Sequence, residues 1–343
     1  MHPKSVLFSG LLGVVAASSA QAITFGTFVQ GGDLASVLSN NATIGFTYAG
    51  DKFVGSVYFG PNNNQLYSTD LNGGNVQKFG TPIAGFSGEV YVSASLGGGG
   101  FGPRDVYAGA ESGGTVYRIA NDGSSQGAFV SGLVGGVRSI AFDPYGLYGF
   151  NMIVATNAGN VYKVNSSGVA TVLANVGEDA EGLSFAPLSF GGRPAGTLFV
   201  ASEGSGTLRA INPDGTKQTM VTGLYGAEMV SFVPLNLGMS GNPVEGFYAA
   251  AYPQNIQKAA ASEFTSYLGQ AIITGETGHQ VWAVNNSLQV TQLGFFPAQP
   301  EDGIFVTADV IHGNAPEQGS PLLLPLGMAL LGYTARRMKR VPV

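Results

Sequence analysis

The chain has 343 residues, 44% of them hydrophobic and 10% charged, with 53 glycines and no cysteine. Net charge is −6, and without residues 1–22 and 317–343 the balance is 10 basic against 20 acidic residues. This excludes a disulfide framework and a thiolate metal site, argues against nucleic acid, whose phosphates need Lys and Arg, and is too apolar for a disordered chain.

Residues 1–22, MHPKSVLFSGLLGVVAASSAQA, open with Lys4, continue through an apolar core from Val6 to Ala17 and end on Ala20-Gln21-Ala22. That order is a secretory signal, and cleavage would leave Ile23 as the first residue. Residues 23–55 are a lead-in with a strand expected at Thr43–Tyr48.

A repeat follows. Its copies are SVYFGPNNNQLYSTDLNGG (56–74), DVYAGAESGGTVYRIANDGSS (105–125), NMIVATNAGNVYKVNSSG (151–168), TLFVASEGSGTLRAINPDG (197–215) and AIITGETGHQVWAVNNS (271–287). Each has short runs of β-forming residues bounded by Gly, Asn, Asp and Pro, the pattern of strands joined by tight turns. Each is preceded by one more strand-like run: GEVYVSA (88–94), VRSIAFDP (137–144), EGLSFAP (181–187), EMVSFVP (228–234) and DGIFVTAD (302–309). A recurring four-stranded unit predicts an all-β propeller. Leu66, Val116, Val161, Leu208 and Val281 hold one position of the repeat, at spacings of 50, 45, 47 and 73 residues. The last gap is too long for one blade and too short for two. It contains 246–268, a degenerate blade or an insertion, where Ile256, Ala259, Ala260, Phe264 and Leu268 approach helical spacing. Six blades fit the length best and five next, in one domain over 23–312.

The C-terminal segment 313–343 holds Pro316-Glu317-Gln318, the apolar run Pro321–Tyr333 and the basic cluster Arg336, Arg337, Lys339 and Arg340. The run is short for a full membrane span, and the cluster would stay on the cytoplasmic side. This tail resembles the PEP-CTERM sorting signal of bacterial exported proteins, with Gln318 where that signal has its second proline. The resemblance implies a transient transmembrane helix, a processing enzyme acting on the tail, and a cell-surface or extracellular protein of a bacterium that makes exopolysaccharide.

The body, through Gly-Leu-Ser-Phe-Ala-Pro at 182–187 and Val-Ala-Ser-Glu-Gly at 200–204, resembles NHL-type propellers and the senescence-marker/gluconolactonase family. In both, the strand preceding each copy is innermost and lines a central channel. The gluconolactonase resemblance further implies a divalent metal in the channel and lactone hydrolysis there.

Aligned, the inner strands give one column: Glu89, Arg138, Glu181, Glu228 and Asp302, with Glu301 beside it. The second strand runs antiparallel and returns Glu111, Asn157, Glu203 and Glu276 to the same face. Two carboxylate rings on one face can hold a hard cation such as Ca²⁺ through oxygen ligands. Glu89, Glu181, Glu228 and Asp302 are the candidate metal ligands. The alternative is a solvated mouth, with Arg138 offsetting its neighbours and Glu111, Glu203 and Glu276 capping their own turns.

Other signals carry little chemistry. His279 falls at a turn position held elsewhere by Thr115, Asn160 and Thr207, and Trp282 aligns with Tyr117 and Tyr162 as inter-blade packing. The Gly97–Gly100 run lacks the Lys-Ser/Thr of a phosphate loop, and no Gly-x-Ser-x-Gly elbow has a partner histidine. The expected function is therefore a binding or structural module of the bacterial envelope or extracellular matrix, with polysaccharide among its candidate partners. A metal-dependent lactonase using the mouth carboxylates is the rival.

Overall fold

The computed structural model describes residues 22–312, with the backbone alone at Asp309 and His312. The signal segment through Gln21 and the tail from Gly313 lie outside the described residues. Among the described residues, no helix is long and apolar enough to cross a membrane.

The expected propeller is observed, with six four-stranded antiparallel sheets arranged as blades around a channel. Blade 1 runs from its inner strand outward as Thr43–Tyr48, Phe53–Val57, Leu66–Thr69 and Gln77–Phe79. Blade 2 is Val90–Ala94, Val106–Ala110, Val116–Ile119 and Gln126–Val130. Blade 3 is Val137–Phe142, Met152–Thr156, Asn160–Val164 and Ala170–Asn175, and blade 4 is Leu183–Phe185, Leu198–Ser202, Thr207–Ile211 and Lys217–Val221.

Position within the blade explains composition. Leu198–Ser202, LFVAS, is the second strand and is buried on both faces, so it reads as a continuous apolar run. Lys217–Val221, KQTMV, is the outer edge, where charge protects unpaired backbone from another chain. The cores lie between adjacent blades. Phe199 of blade 4 and Phe232 of blade 5 pack edge to face with ring centroids 5.2 Å apart, and Phe190 stands against both. Trp282 joins this layer, as its place in the repeat predicts. On the channel side, inner-strand N–H groups need other partners. Thr47 Oγ1 accepts from Ala94 N and Ser184 Oγ from Phe232 N, each at 3.2 Å and each tying a blade to the next.

The 73-residue gap comes from an exchange between the last two blades. Blade 5 starts with Ala227–Phe232, and the chain then leaves it to form Gly246–Tyr252 and Ile256–Ala260. It returns to complete blade 5 with Ala271–Gly275, Gln280–Val284 and Val290–Phe295. The excursion supplies the two middle strands of blade 6, whose inner strand is Gln299–Val306 and whose outer strand is Gly26–Val29. The ring is thus closed by strands from opposite ends of the chain.

The helix expected within 246–268 is corrected accordingly. Ile256–Ala260 is a strand, and the only helical geometry there is a 3₁₀ segment, Ala261–Tyr267, around buried Phe264. Alanine-rich FYAAAY carries no alternation because this strand is buried on both faces inside blade 6. The lead-in holds two further elements, the closing strand Gly26–Val29 and a helix, Gly31–Leu38, whose Leu34 and Leu38 are buried.

Candidate functional site at the channel mouth

Inner strands start on one face of the propeller, so the residues at their starts encircle one mouth of the channel. Three bulges aim the charged ones. In blade 3 the register with the second strand skips at Arg138, and in blade 5 it skips at Glu228. In blade 6, Ala249 faces Gly303 and Ala251 faces Pro300, leaving Glu301 and Asp302 opposite one residue. A bulge adds an unpaired residue and turns its side chain away from the strand's alternation.

Arg138 organises one side. Its Nη1 donates to Glu89 Oε2 and, at 3.2 Å, to Glu111 Oε2. Its Nε donates to Asp179 Oδ2 at 3.0 Å, and Nη2 stands 3.1 Å from Glu181 Oε1. Tyr91 adds an O–H donated to Glu89 Oε2 at 2.8 Å. Burial alone would lower the guanidinium pKa, but the surrounding carboxylates, Glu181 first, outweigh it and raise it.

The other side is a carboxylate cluster that Arg138 touches through Glu181. Oxygens of Glu181, Glu203 and Glu228 lie within 4.8 Å of one another. Glu181 is 2% exposed and has no hydrogen-bond donor in place: Arg138 approaches Oε1 as an ion-pair contact without hydrogen-bond geometry, and Asp179 is the carboxyl beside it with which it can share a proton. Burial, then repulsion from Glu228, raises the Glu181 pKa well above the usual carboxylate range. Glu228 is raised by burial and Glu301, and Glu301 by burial and Glu276. Burial and a proton shared with Glu203 lift Glu276 to about 7. Gln299 Nε2 donates to both Glu276 and Glu301.

The predicted ligands therefore divide. Glu181 and Glu228 converge. Glu89 is drawn to Arg138 and Tyr91. Asp302 points down the channel, where its carboxylate accepts backbone N–H groups of Gly303, Phe46 and Val92 and burial lifts its pKa to about 7. The third converging carboxylate is Glu203, which the turn-cap reading had set aside. Glu111 likewise leans into the mouth, onto Arg138. Asn157, at the same place in blade 3, ties its turn to the loop entering the blade, its Oδ1 accepting from Gly136 N at 2.8 Å. Asp179, two residues before Glu181, escaped the repeat alignment because it lies in the loop between blades. His279 sits in a turn with φ 58°, as expected.

Below the mouth the channel is a cavity of about 250 Å³. Three carboxylates around a point, the deepest without a donor, suit a hard cation with further water ligands: Ca²⁺ takes 6–8 oxygens at about 2.3–2.6 Å. Oxygens around such an ion stand at most about 5 Å apart, and the three here lie within that limit.

The fold and mouth together define a six-bladed β-propeller with an acidic channel entrance. No protein-family model matches the chain, and no curated protein matches its sequence. Similar solved structures include a crystal structure of a nidogen/laminin complex, at 13% identity over 77% of this chain and 84% of that chain, with a TM-score of 0.54. They also include streptogramin B lyase, at 12% identity over 83% and 92%, TM-score 0.48, and a protein provisionally named a gluconolactonase, at 10% over 82% and 94%, TM-score 0.47. The first likeness carries the fold alone, and the lower scores of the other two add nothing to it.

Proposed function

We propose that the protein is an exported, surface-sorted binding or structural module of the bacterial envelope or extracellular matrix, and that its ligand site is the acidic mouth, completed by a divalent cation such as Ca²⁺. The observation that carries the cation is the buried Glu181 carboxylate, which has no hydrogen-bond donor and is aimed at Glu203 and Glu228. The cation beside it, Arg138 Nη2 at 3.1 Å, is shared with Glu89, Glu111 and Asp179, so the remaining negative charge of the cluster either holds protons or recruits a further cation. Export rests on the signal segment and the sorting-type tail, and matrix components such as polysaccharide are the partners consistent with that address.

The test is thermal unfolding with Ca²⁺ or with chelator, for the natural protein and for Glu181→Gln. A bound cation stabilises the native state by mass action, by about 2.7 kcal/mol at a hundredfold excess over its dissociation constant. A Ca²⁺-dependent rise in Tm that disappears in Glu181→Gln supports the reading. No rise at millimolar Ca²⁺ leaves a proton-sharing rim and removes the lactonase alternative as well, since that alternative needs the same ion.

A further inference from the structure

The face opposite the acidic mouth carries a different surface. The loop from first to second strand of blade 4 opens there, as do the two connections between blades 5 and 6, and together they expose Leu188, Leu235, Met239 and Leu268. Leu188, Leu235 and Leu268 are one patch, and Met239 is exposed four residues beyond Leu235 on the same connection. A Cβ placed on Gly269 would stand 3.3 Å from Leu235 Cδ2 and 3.4 Å from Leu188 Cδ1, so both leucines lean over the glycine beside Leu268. Stretches 233–244, 264–275 and 284–299 contain no Asp, Glu, Lys or Arg, and the charges at their border are engaged: Arg193 donates to Gln218, Lys258 to Pro243 O, and Glu263 accepts from Thr24 N.

The chain leaves the propeller on this same face. The inner strand of blade 6 ends in a short helix, Ala308–His312, fastened by an Arg104 Nη2 hydrogen bond to Val310 O. Beyond His312 lie 31 residues, with an apolar run at Pro321–Tyr333 and Arg336, Arg337, Lys339 and Arg340 after it. The nine residues from His312 to Pro321 reach up to about 30 Å when extended, enough to place the run beneath any part of the face. An apolar segment followed by a basic cluster has the composition of a membrane anchor whose charges meet anionic headgroups.

We propose that the Leu188–Leu235–Met239–Leu268 sector docks on the lipid surface into which the tail inserts, holding the propeller with its acidic mouth turned away from the bilayer. Both faces favour that orientation. Exposed leucine and methionine gain by entering the headgroup–acyl boundary. The carboxylate-rich mouth is repelled by anionic lipid, and turning it outward removes that cost. The proposal rests on the tail-anchored reading for the presence of a bilayer and extends it to the way the body sits.

The chain has no cysteine, so single-cysteine labelling is unambiguous. Met239→Cys on the face opposite the mouth and Tyr225→Cys on the mouth face replace side chains of matched exposure, 78% and 75%. Each full-length variant is labelled with a fluorophore and mixed with phosphatidylethanolamine–phosphatidylglycerol vesicles carrying nitroxide on the acyl chains. The expected result is vesicle association of both, with quenching at position 239 at least about threefold that at 225, as for side chains held at the acyl boundary. Association with equal quenching at the two positions, or more at 225, overturns the proposed orientation and leaves the anchor reading standing. Failure of the full chain to associate overturns both. Protection of the 239 label that grows with protein concentration without vesicles assigns the patch to a second copy of the chain and also overturns the proposal.

Discussion

Arg138 of blade 3 and Glu181 at the start of blade 4 face each other at 3.1 Å, and the same arginine also pairs with Glu89, Glu111 and Asp179. It bridges Glu89 and Glu111 of blade 2 to Asp179 and Glu181, and so spans three consecutive blades. Removing one partner from a buried pair leaves the other charge uncompensated. Arg138→Met is expected to lower stability by about 3–5 kcal/mol in chelator, with part of the loss restored by Ca²⁺. Chemical denaturation under both conditions checks this, and an unchanged midpoint in chelator would show that the network is held by shared protons instead.

The raised carboxyl groups set a pH dependence. Asp302 moves from an ordinary 3.8, and Glu276 from 4.5, to about 7 in the native protein. Between those values and about 7 the native state holds protons that the unfolded state has released. The stabilisation is therefore full below this window and is lost as pH rises through it, by about 1.4 kcal/mol per pH unit for each full proton of difference, until the loss is complete above about 7. The metal-free protein is expected to melt at a lower temperature at pH 8 than at pH 5.5, with Ca²⁺ flattening the profile. A Tm that climbs over the same interval would contradict the proton uptake.

Phe185 tests the propeller core. It is buried on the inner strand of blade 4, with Tyr148 at a ring-centroid distance of 5.7 Å. Phe185→Ala is expected to cost about 3–5 kcal/mol by loss of transfer free energy and by the cavity left behind. A loss below about 1 kcal/mol in equilibrium unfolding would place that side chain outside the core.

Ring closure depends on Gly26–Val29, the outer strand of blade 6, with Val29 fully buried. A chain beginning at Gly31 would bare the edge of Ile256–Ala260, an invitation to pairing between molecules. It is expected to lose thermal stability and form concentration-dependent aggregates, followed by light scattering. A monomeric product with unchanged Tm would mean that the closing strand contributes little.

Export is checked on the natural protein by N-terminal sequencing of cell fractions. The expected first residue is Ile23 in material outside the cytoplasm. Intact Met1 in the cytosolic fraction would remove the basis for the envelope reading.

Sequence by itself determined the repeat. Turn residues and short apolar runs are local signals, so the spacing from Leu66 to Leu208 already counted the first blades, and the charged starts of five inner strands, four of them acidic, were readable from alignment alone. Sequence could not show that Gly246–Ala260 belongs to a different blade from the residues on either side, because which strands pair is settled by contacts between segments far apart in the chain. Nor could it choose among the carboxylates. Glu89 and Glu181 occupy the same place in the repeat, yet Glu89 is tied to Arg138 and Tyr91 by hydrogen bonds, while Glu181 touches Arg138 on one oxygen only and also faces Glu203 and Glu228. Glu301 and Asp302 are neighbours, yet the bulge opposite Ala250 sends one to the rim and the other into the channel. A bulge shifts alternation by one residue, and whether a carboxylate meets an arginine, a backbone N–H or another carboxylate depends on that shift and on the neighbouring blade, so only the closed ring decides it.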